Sequence, residues 1–223
     1  MANDYFKFKQ FSVFQHHCAM KVGTDGTLLG AWAEGGKRIV DVGTGTGLIA
    51  LMMAQRFPDA SVLGIDIDEM AVRQAMENVA SSPFAARIDI ELCDMALLQG
   101  RFDSIVCNPP FFVDSLLCPD ERRTKARHAE TLTYRQLMSA AWRLLDDGGQ
   151  LSVVIPFDCR QRLEAEAFLA GFAKVRQCGV KTTPAKPAKR FLLAFAKHSA
   201  EVETTELVIG SEEYNKLTSD FYL

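Results

Sequence analysis

The sequence of 223 residues is first informative for what it lacks. It has no run of about 18 apolar residues, so no membrane-spanning helix is expected. Its start, Met1-Ala-Asn-Asp-Tyr-Phe-Lys-Phe-Lys9, alternates charges with aromatics and contains no apolar secretory core. It has no Cys-x-x-Cys, and its six cysteines (18, 93, 107, 118, 159 and 178) show no metal-ligand spacing. Reduced structural thiols in a cytoplasmic protein are the expectation, and no metal is signalled. There is no excess of cations either. The formal net charge is −3, so contact with nucleic acid would have to come from local patches. No repeat, low-complexity tract or interdomain linker interrupts the chain. With 48% hydrophobic and 24% charged residues, it reads as one domain with a full core. An N-terminal extension spans 1–36, the main body 37–200 and a tail 201–223.

What is present begins to repeat at residue 38. Strands are expected at 38–43, 61–66, 87–92, 102–107, 150–155, 173–180 and 190–196. Helices are expected at 47–56, 69–80, 131–145 and 158–170. This alternation predicts an α/β fold, a mostly parallel seven-stranded sheet with helices on both faces. The last two strands have no helix between them and should be antiparallel. Phe6 to Phe11 and Ser12 to Gln15 alternate apolar and polar residues and predict a small hairpin outside that sheet, its aromatics packing into the core. His16 and His17 lack a partner nearby in sequence and read as structural or surface residues. Thr24 or Asp25 suits the N-cap of a helix behind them; the alternative is a loop folding over a ligand.

The first strand runs into Asp41-Val-Gly-Thr-Gly-Thr-Gly47, with an apolar helix behind it. Gly43, Gly45 and Gly47 allow positive φ and leave no Cβ between backbone and ligand. The N–H groups of the next helix face the same space. The spacing is Gly-x-Gly-x-Gly, not the dinucleotide Gly-x-Gly-x-x-Gly, and no Gly-Lys-Ser/Thr follows. Asp66 ends the second strand, where a carboxylate can accept both hydroxyls of a ribose. Capping of the next helix suits Asp68 better. Asp94 follows the third strand, as a turn residue or as an acceptor for an adenine amine.

Asn108-Pro-Pro-Phe111 ends the fourth strand, beside the glycine turn, where open α/β sheets bind ligands. Pro109 and Pro110 remove two N–H donors and leave carbonyl acceptors. Asn108 adds an amide oxygen and Phe111 a flat apolar face. Two acceptors and a ring are what a planar amino group requires.

Together these motifs resemble the class I S-adenosylmethionine-dependent methyltransferases of the Asn-Pro-Pro-Tyr/Phe group. Met20-Lys-Val-Gly-Thr-Asp-Gly-Thr-Leu-Leu-Gly-Ala-Trp32, Asn108-Pro-Pro-Phe-Phe112, Ala126-Arg-His128 and Asp220-Phe-Tyr222 are similar, more narrowly, to bacterial tRNA1(Val) (adenine(37)-N6)-methyltransferases. The resemblance implies a Rossmann-like fold and S-adenosyl-L-methionine as cofactor. It implies that Asp41, Gly43, Thr44, Gly45 and Gly47 hold the methionine end, Asp66 with Ile67 the ribose side and Asp94 the adenine. Lys21, Thr24 and Asp25 would lie near the cofactor. Asn108, Pro109, Pro110 and Phe111 would hold the acceptor amine, an adenine N6 in tRNA. Two basic loops suit RNA: one with Arg122, Arg123, Lys125, Arg127 and His128, the other with Lys186, Lys189 and Arg190. The tetrapeptide alone also fits guanine N2 or a protein glutamine, and an RNA-binding module without catalysis is a further reading. The oligomeric state stays open, with a monomer favoured.

Overall fold

The structure, a computed structural model, describes residues 4–16, 21–109 and 132–222. The chain runs β1 (Tyr5–Lys7), β2 (Ser12–Phe14), α1 (Thr24–Trp32), β3 (Arg38–Val42), α2 (Leu48–Arg56), β4 (Ser61–Asp66) and α3 (Glu69–Ala80). It continues with β5 (Ile88–Leu92), β6 (Phe102–Cys107), α4 (Tyr134–Leu144), β7 (Leu145–Pro156), α5 (Arg160–Leu169), β8 (Ala173–Lys181), β9 (Arg190–Ala196), β10 (Glu203–Val208) and α6 (Glu212–Thr218). The main sheet has the order β10-β8-β9-β7-β6-β3-β4-β5, and β9 alone runs against its neighbours. The hairpin β1–β2 forms a separate two-stranded sheet.

Local chemistry explains the boundaries. Asp68 caps α3 by accepting from the Met70 N–H at 2.9 Å. Thr133 and Gln136 form a reciprocal capping box at the start of α4. Central strands are apolar on both faces because helices cover both: Ile105, Val106, Leu151, Val153 and Val154 are all fully buried. The hairpin, α1, α2 and α3 pack on one face, while α4 and α5 pack on the other. Among the described residues no helix is long and apolar enough to cross a membrane. Cys93, Cys107, Cys159 and Cys178 are free thiols.

Three expectations are corrected. The sheet has an eighth strand, β10, inside the segment expected as tail. Its sequence, Glu203-Thr-Thr-Glu-Leu-Val208, is mostly polar, and five of its six residues are not buried, so an edge strand hides from a hydrophobicity pattern. Strand β7 starts at Leu145 rather than after Gly148-Gly149. A register irregularity against β6 lets those glycines sit inside it, and a Cβ on Gly149 would lie 2.6 Å from the Asp103 carbonyl. Finally, α1 is capped by neither Thr24 nor Asp25. Its N-cap is Gly23, with no side-chain capping bond.

The two ends of the chain meet on one side. Phe8 and Phe11 are buried and stacked, Phe221 is buried beside them, and Lys9 N–H donates to the Phe221 carbonyl at 2.8 Å. Asn78 of α3, fully buried, ties this unit to the sheet. Its Oδ1 accepts the Phe14 N–H, and its Nδ2 donates to the carbonyls of Phe14 and Thr46, each at 2.8 Å. Asn78→Ala strands those groups and should lower stability by on the order of 2 kcal/mol, read from urea unfolding. An unchanged urea midpoint would show that the hairpin does not depend on this bridge.

Candidate active site

The glycine turn follows β3 and is clamped by its neighbours. Gly43, Gly45 and Gly47 have φ of +69°, +56° and +79°. The N–H groups of Gly43 and Thr44 both donate to the Ile65 carbonyl at 2.9 Å, and the Gly45 N–H donates to Asp66 Oδ2 at 2.9 Å. From beneath, Asp41 Oδ2 accepts from Thr44 Oγ1 at 2.7 Å and from the Ala50 N–H at 3.1 Å. Among the described residues the upper side is bare. A Cβ on Gly43 would meet nothing within 4 Å, and one on Gly45 would meet only the Gly43 carbonyl at 4.0 Å. Gly64 makes the turn possible from β4, since a Cβ there would lie 2.8 Å from Thr44 Oγ1.

Strand register gathers the other residues. Val42 pairs with Ile65 on one side and with Cys107 on the other. Gly43, Asp66 and Asn108 therefore stand level on three adjacent strand ends, about 4.8 Å apart per strand. Asp66 pairs with Leu92 on the far side, and Asp94 follows. Both Asp66 oxygens accept backbone N–H groups, from Gly45 and from Asp68. Each keeps a lone pair for a ribose hydroxyl. Ile67 and Leu92 are exposed by more than half, an apolar rim flanking that carboxylate. Asp94 Oδ1 accepts the Ala96 N–H at 2.8 Å, so it does turn chemistry and remains exposed. Arg143 pins the loop behind it through the carbonyls of Met95, Ala96 and Leu98.

Asn108 shows an unmet demand. Its Oδ1 is buried and has no hydrogen-bond partner among the described residues. A buried amide oxygen without a partner costs about 1–3 kcal/mol and marks a place that a ligand donor completes. Pro109 is buried next to it. Pro110 and Phe111 lie outside the described residues, as do Arg122, Arg123, Lys125, Arg127 and His128.

The other expected residues divide. Lys21 and Thr24 are exposed at the entry to α1. Asp25, in the first turn of α1, pairs with Arg190 at 2.9 Å. That pair spans α1 and β9, and with Lys189 it borders a cavity of about 190 Å³. Lys186 and Lys189 are exposed in the turn between β8 and β9, on the sheet edge that carries the glycine turn. Sequence reasoning missed Gly64 and Asn78.

Bare glycine space, an acidic residue one strand over and an orphaned amide acceptor on the other side fit S-adenosylmethionine and an acceptor amine. The fold and this cleft define a class I S-adenosylmethionine-dependent methyltransferase. Comparison with known proteins agrees. The family model described as methyltransferase small domain matches residues 21–179. The chain is 47% identical to a tRNA1(Val) (adenine(37)-N6)-methyltransferase of Bacteroides thetaiotaomicron, over 100% of this chain and 99% of that one. It is 40% identical to the protein of that name from Trichodesmium erythraeum, at the same coverage. The chain belongs to the tRNA1(Val) (adenine(37)-N6)-methyltransferase family. Solved structures show the shared fold: a predicted O-methyltransferase from Agrobacterium tumefaciens aligns with TM-score 0.71 at 19% identity, over 88% of this chain and 96% of that one. A glycopeptide N-methyltransferase solved with S-adenosylmethionine aligns with TM-score 0.59 at 11% identity, over 82% and 98%.

Burial raises the Asp41 carboxyl from 3.8 to about 7, against the opposing bonds from Thr44 and Ala50. Between those values the folded chain holds a proton that the unfolded chain has lost. Stability from this group is thus full below about pH 4 and is lost as pH rises toward 7. In urea unfolding across that window, wild type should lose stability relative to Asp41→Asn as pH rises; parallel curves would contradict this. Gly43→Ala and Gly45→Ala put a Cβ into the bare space at a positive φ. Each should weaken S-adenosylmethionine binding at least tenfold by calorimetry, about 1.4 kcal/mol, because the added methyl occupies space the cofactor would fill. Gly210→Ala, equally strained but distant in sequence at the turn after β10, should lose stability and keep cofactor affinity.

Proposed function

We propose that this chain transfers a methyl group from S-adenosylmethionine to the N6 amine of an adenine in tRNA, at position 37 beside the anticodon of tRNA1(Val). The carrying observation is the buried Asn108 Oδ1, without a hydrogen-bond partner among the described residues and level with the glycine turn and with Asp66. Its setting is a chain 40–47% identical, end to end, to relatives of that name.

When bound, S-adenosylmethionine supplies an electrophilic methyl group on a sulfonium, which is already a good leaving group. The protein's work is then placement. The glycine turn takes the methionine half in the space a side chain would fill. Asp66 accepts the ribose hydroxyls while it holds Gly45. Asn108 Oδ1 and the Pro109 carbonyl accept the two N6 hydrogens, which holds the nitrogen lone pair toward the methyl group. Both are acceptors, so they favour the positive charge that grows on nitrogen. Phe111 supplies the stacking face, and the adenine leaves its stack most cheaply in a loop. Lys186 and Lys189, with the basic residues of 122–128, meet the RNA backbone. Work on tRNA places the protein in the cytoplasm.

The deciding experiment incubates the protein with unmodified tRNA and labelled S-adenosylmethionine and maps the product base. Label at N6 of adenine 37 is expected; label only in ribosomal RNA or protein would sink the assignment. Asn108→Ala should lower turnover by about 100-fold or more, as loss of a transition-state acceptor does, with cofactor affinity kept. Asp66→Ala should abolish measurable cofactor binding in calorimetry.

A further inference from the structure

The reaction described above uses the ends of β3, β4 and β6. The end of the next strand, β7, has no role in it, yet carries distinctive chemistry. Strand β7 is buried from Leu151 to Ile155, and Phe157, just past its end, is 58% exposed. One exposed ring is ordinary; its surroundings are not. The Phe157 N–H donates to the Lys189 carbonyl at 3.1 Å, and Pro156 pairs with Arg190. The ring is thereby fastened beside the turn that carries Lys186 and Lys189, whose ammonium groups are exposed and make no ion pair among the described residues. The ring also lines a cavity of about 490 Å³, together with Asp158, Arg160, Gln161 and Glu164. Its wall is already built: Arg160 bonds to Glu164 and Gln177, and its guanidinium lies 4.5 Å from the Phe191 ring centre.

A flat apolar face near cations and hydrogen-bonding side chains is the chemistry of a single-stranded nucleotide site. The base lies on the ring, the phosphate turns to the lysines, and Asp158 and Gln161 meet the base edge. Register says which nucleotide. Cys107 pairs with Val153, so Asn108 is level with Val154 and Phe157 stands three residues further out, about 10 Å. That is beyond the base whose amine reaches Asn108 and within reach of its neighbour. We propose that Phe157 is the stacking platform for a nucleotide flanking the target base, with Lys186 and Lys189 on its phosphates. This deepens the RNA reading above and rests on it.

The test uses the whole enzyme and tRNA. Phe157→Ala should raise KM for tRNA about tenfold, as loss of one base–aromatic stack does. Maximal turnover should change less than twofold, and S-adenosylmethionine affinity should not change. Phe157→Leu keeps an apolar contact with the Phe191 ring, now 6.2 Å away centre to centre; it should show the same loss, while Phe157→Tyr restores KM. Rescue by Leu, or a KM within twofold of wild type in Phe157→Ala, overturns the proposal. Phe157→Trp reads binding without turnover. Its fluorescence should be quenched by an RNA hairpin with an open loop and not by an RNA duplex of equal length; absence of quenching by the hairpin also overturns the proposal. Failure of the tRNA reading shows separately, as a wild-type enzyme that puts no label into tRNA, and the quenching result still decides whether Phe157 receives a single-stranded base.

Discussion

Among the described residues, the glycine turn is held from below and from the side and not from above. A loop of three left-handed glycines would otherwise be too free to define a binding surface. Asp41 beneath it, the Ile65 carbonyl beside it and Asp66 at its tip remove that freedom. In the proposed binding mode the carboxylate that fixes the floor, Asp66, is also the one that meets the ribose. A cofactor that engages Asp66 meets a turn already in place, so little ordering cost is left to binding.

This arrangement reaches beyond the sheet. Asn78 binds Phe14 of the hairpin and Thr46 of the turn at once, and the aromatic cluster joins that hairpin to Phe221 and Tyr222 at the other end of the chain. On the opposite flank, Asp25 of α1 meets Arg190 of β9. The cleft floor is therefore braced by segments from both termini, and the N-terminal extension acts as part of the site's scaffold.

The chemistry asked of the cleft is modest and directional. In the proposed reaction the acceptors that hold the amine stand at the ends of parallel strands whose backbones are already satisfied by the sheet. Basic residues and an exposed ring occupy the next strand ends, β7 to β9, along the same edge. One edge of one sheet thus carries, in sequence, Asp94, the glycine turn, Asn108 with Pro109, and the exposed Phe157, Lys186 and Lys189.

Most of the fold was legible because period and punctuation agree: buried parallel strands are short apolar runs, and Gly, Pro and Asp68 mark their ends. The boundaries of β4, α3, β6 and β9 match the pattern residue for residue. Edge strand β10 was not legible, since a polar strand pairs through backbone atoms that every residue has. The site divides the same way. Gly43 to Gly47, Asp66 and Asn108 declare themselves by residue type at strand ends. Asn78 and Gly64 do not, because each owes its importance to what lies across from it: Phe14 and Thr46, and the Thr44 side chain. Local sequence carries backbone conformation and chemical type, whereas partnership between residues far apart in the chain exists only once register and packing have brought them together. The glycine turn was readable from its seven residues; that its upper face is bare, and that an unpaired amide oxygen waits one strand away, follows from the sheet.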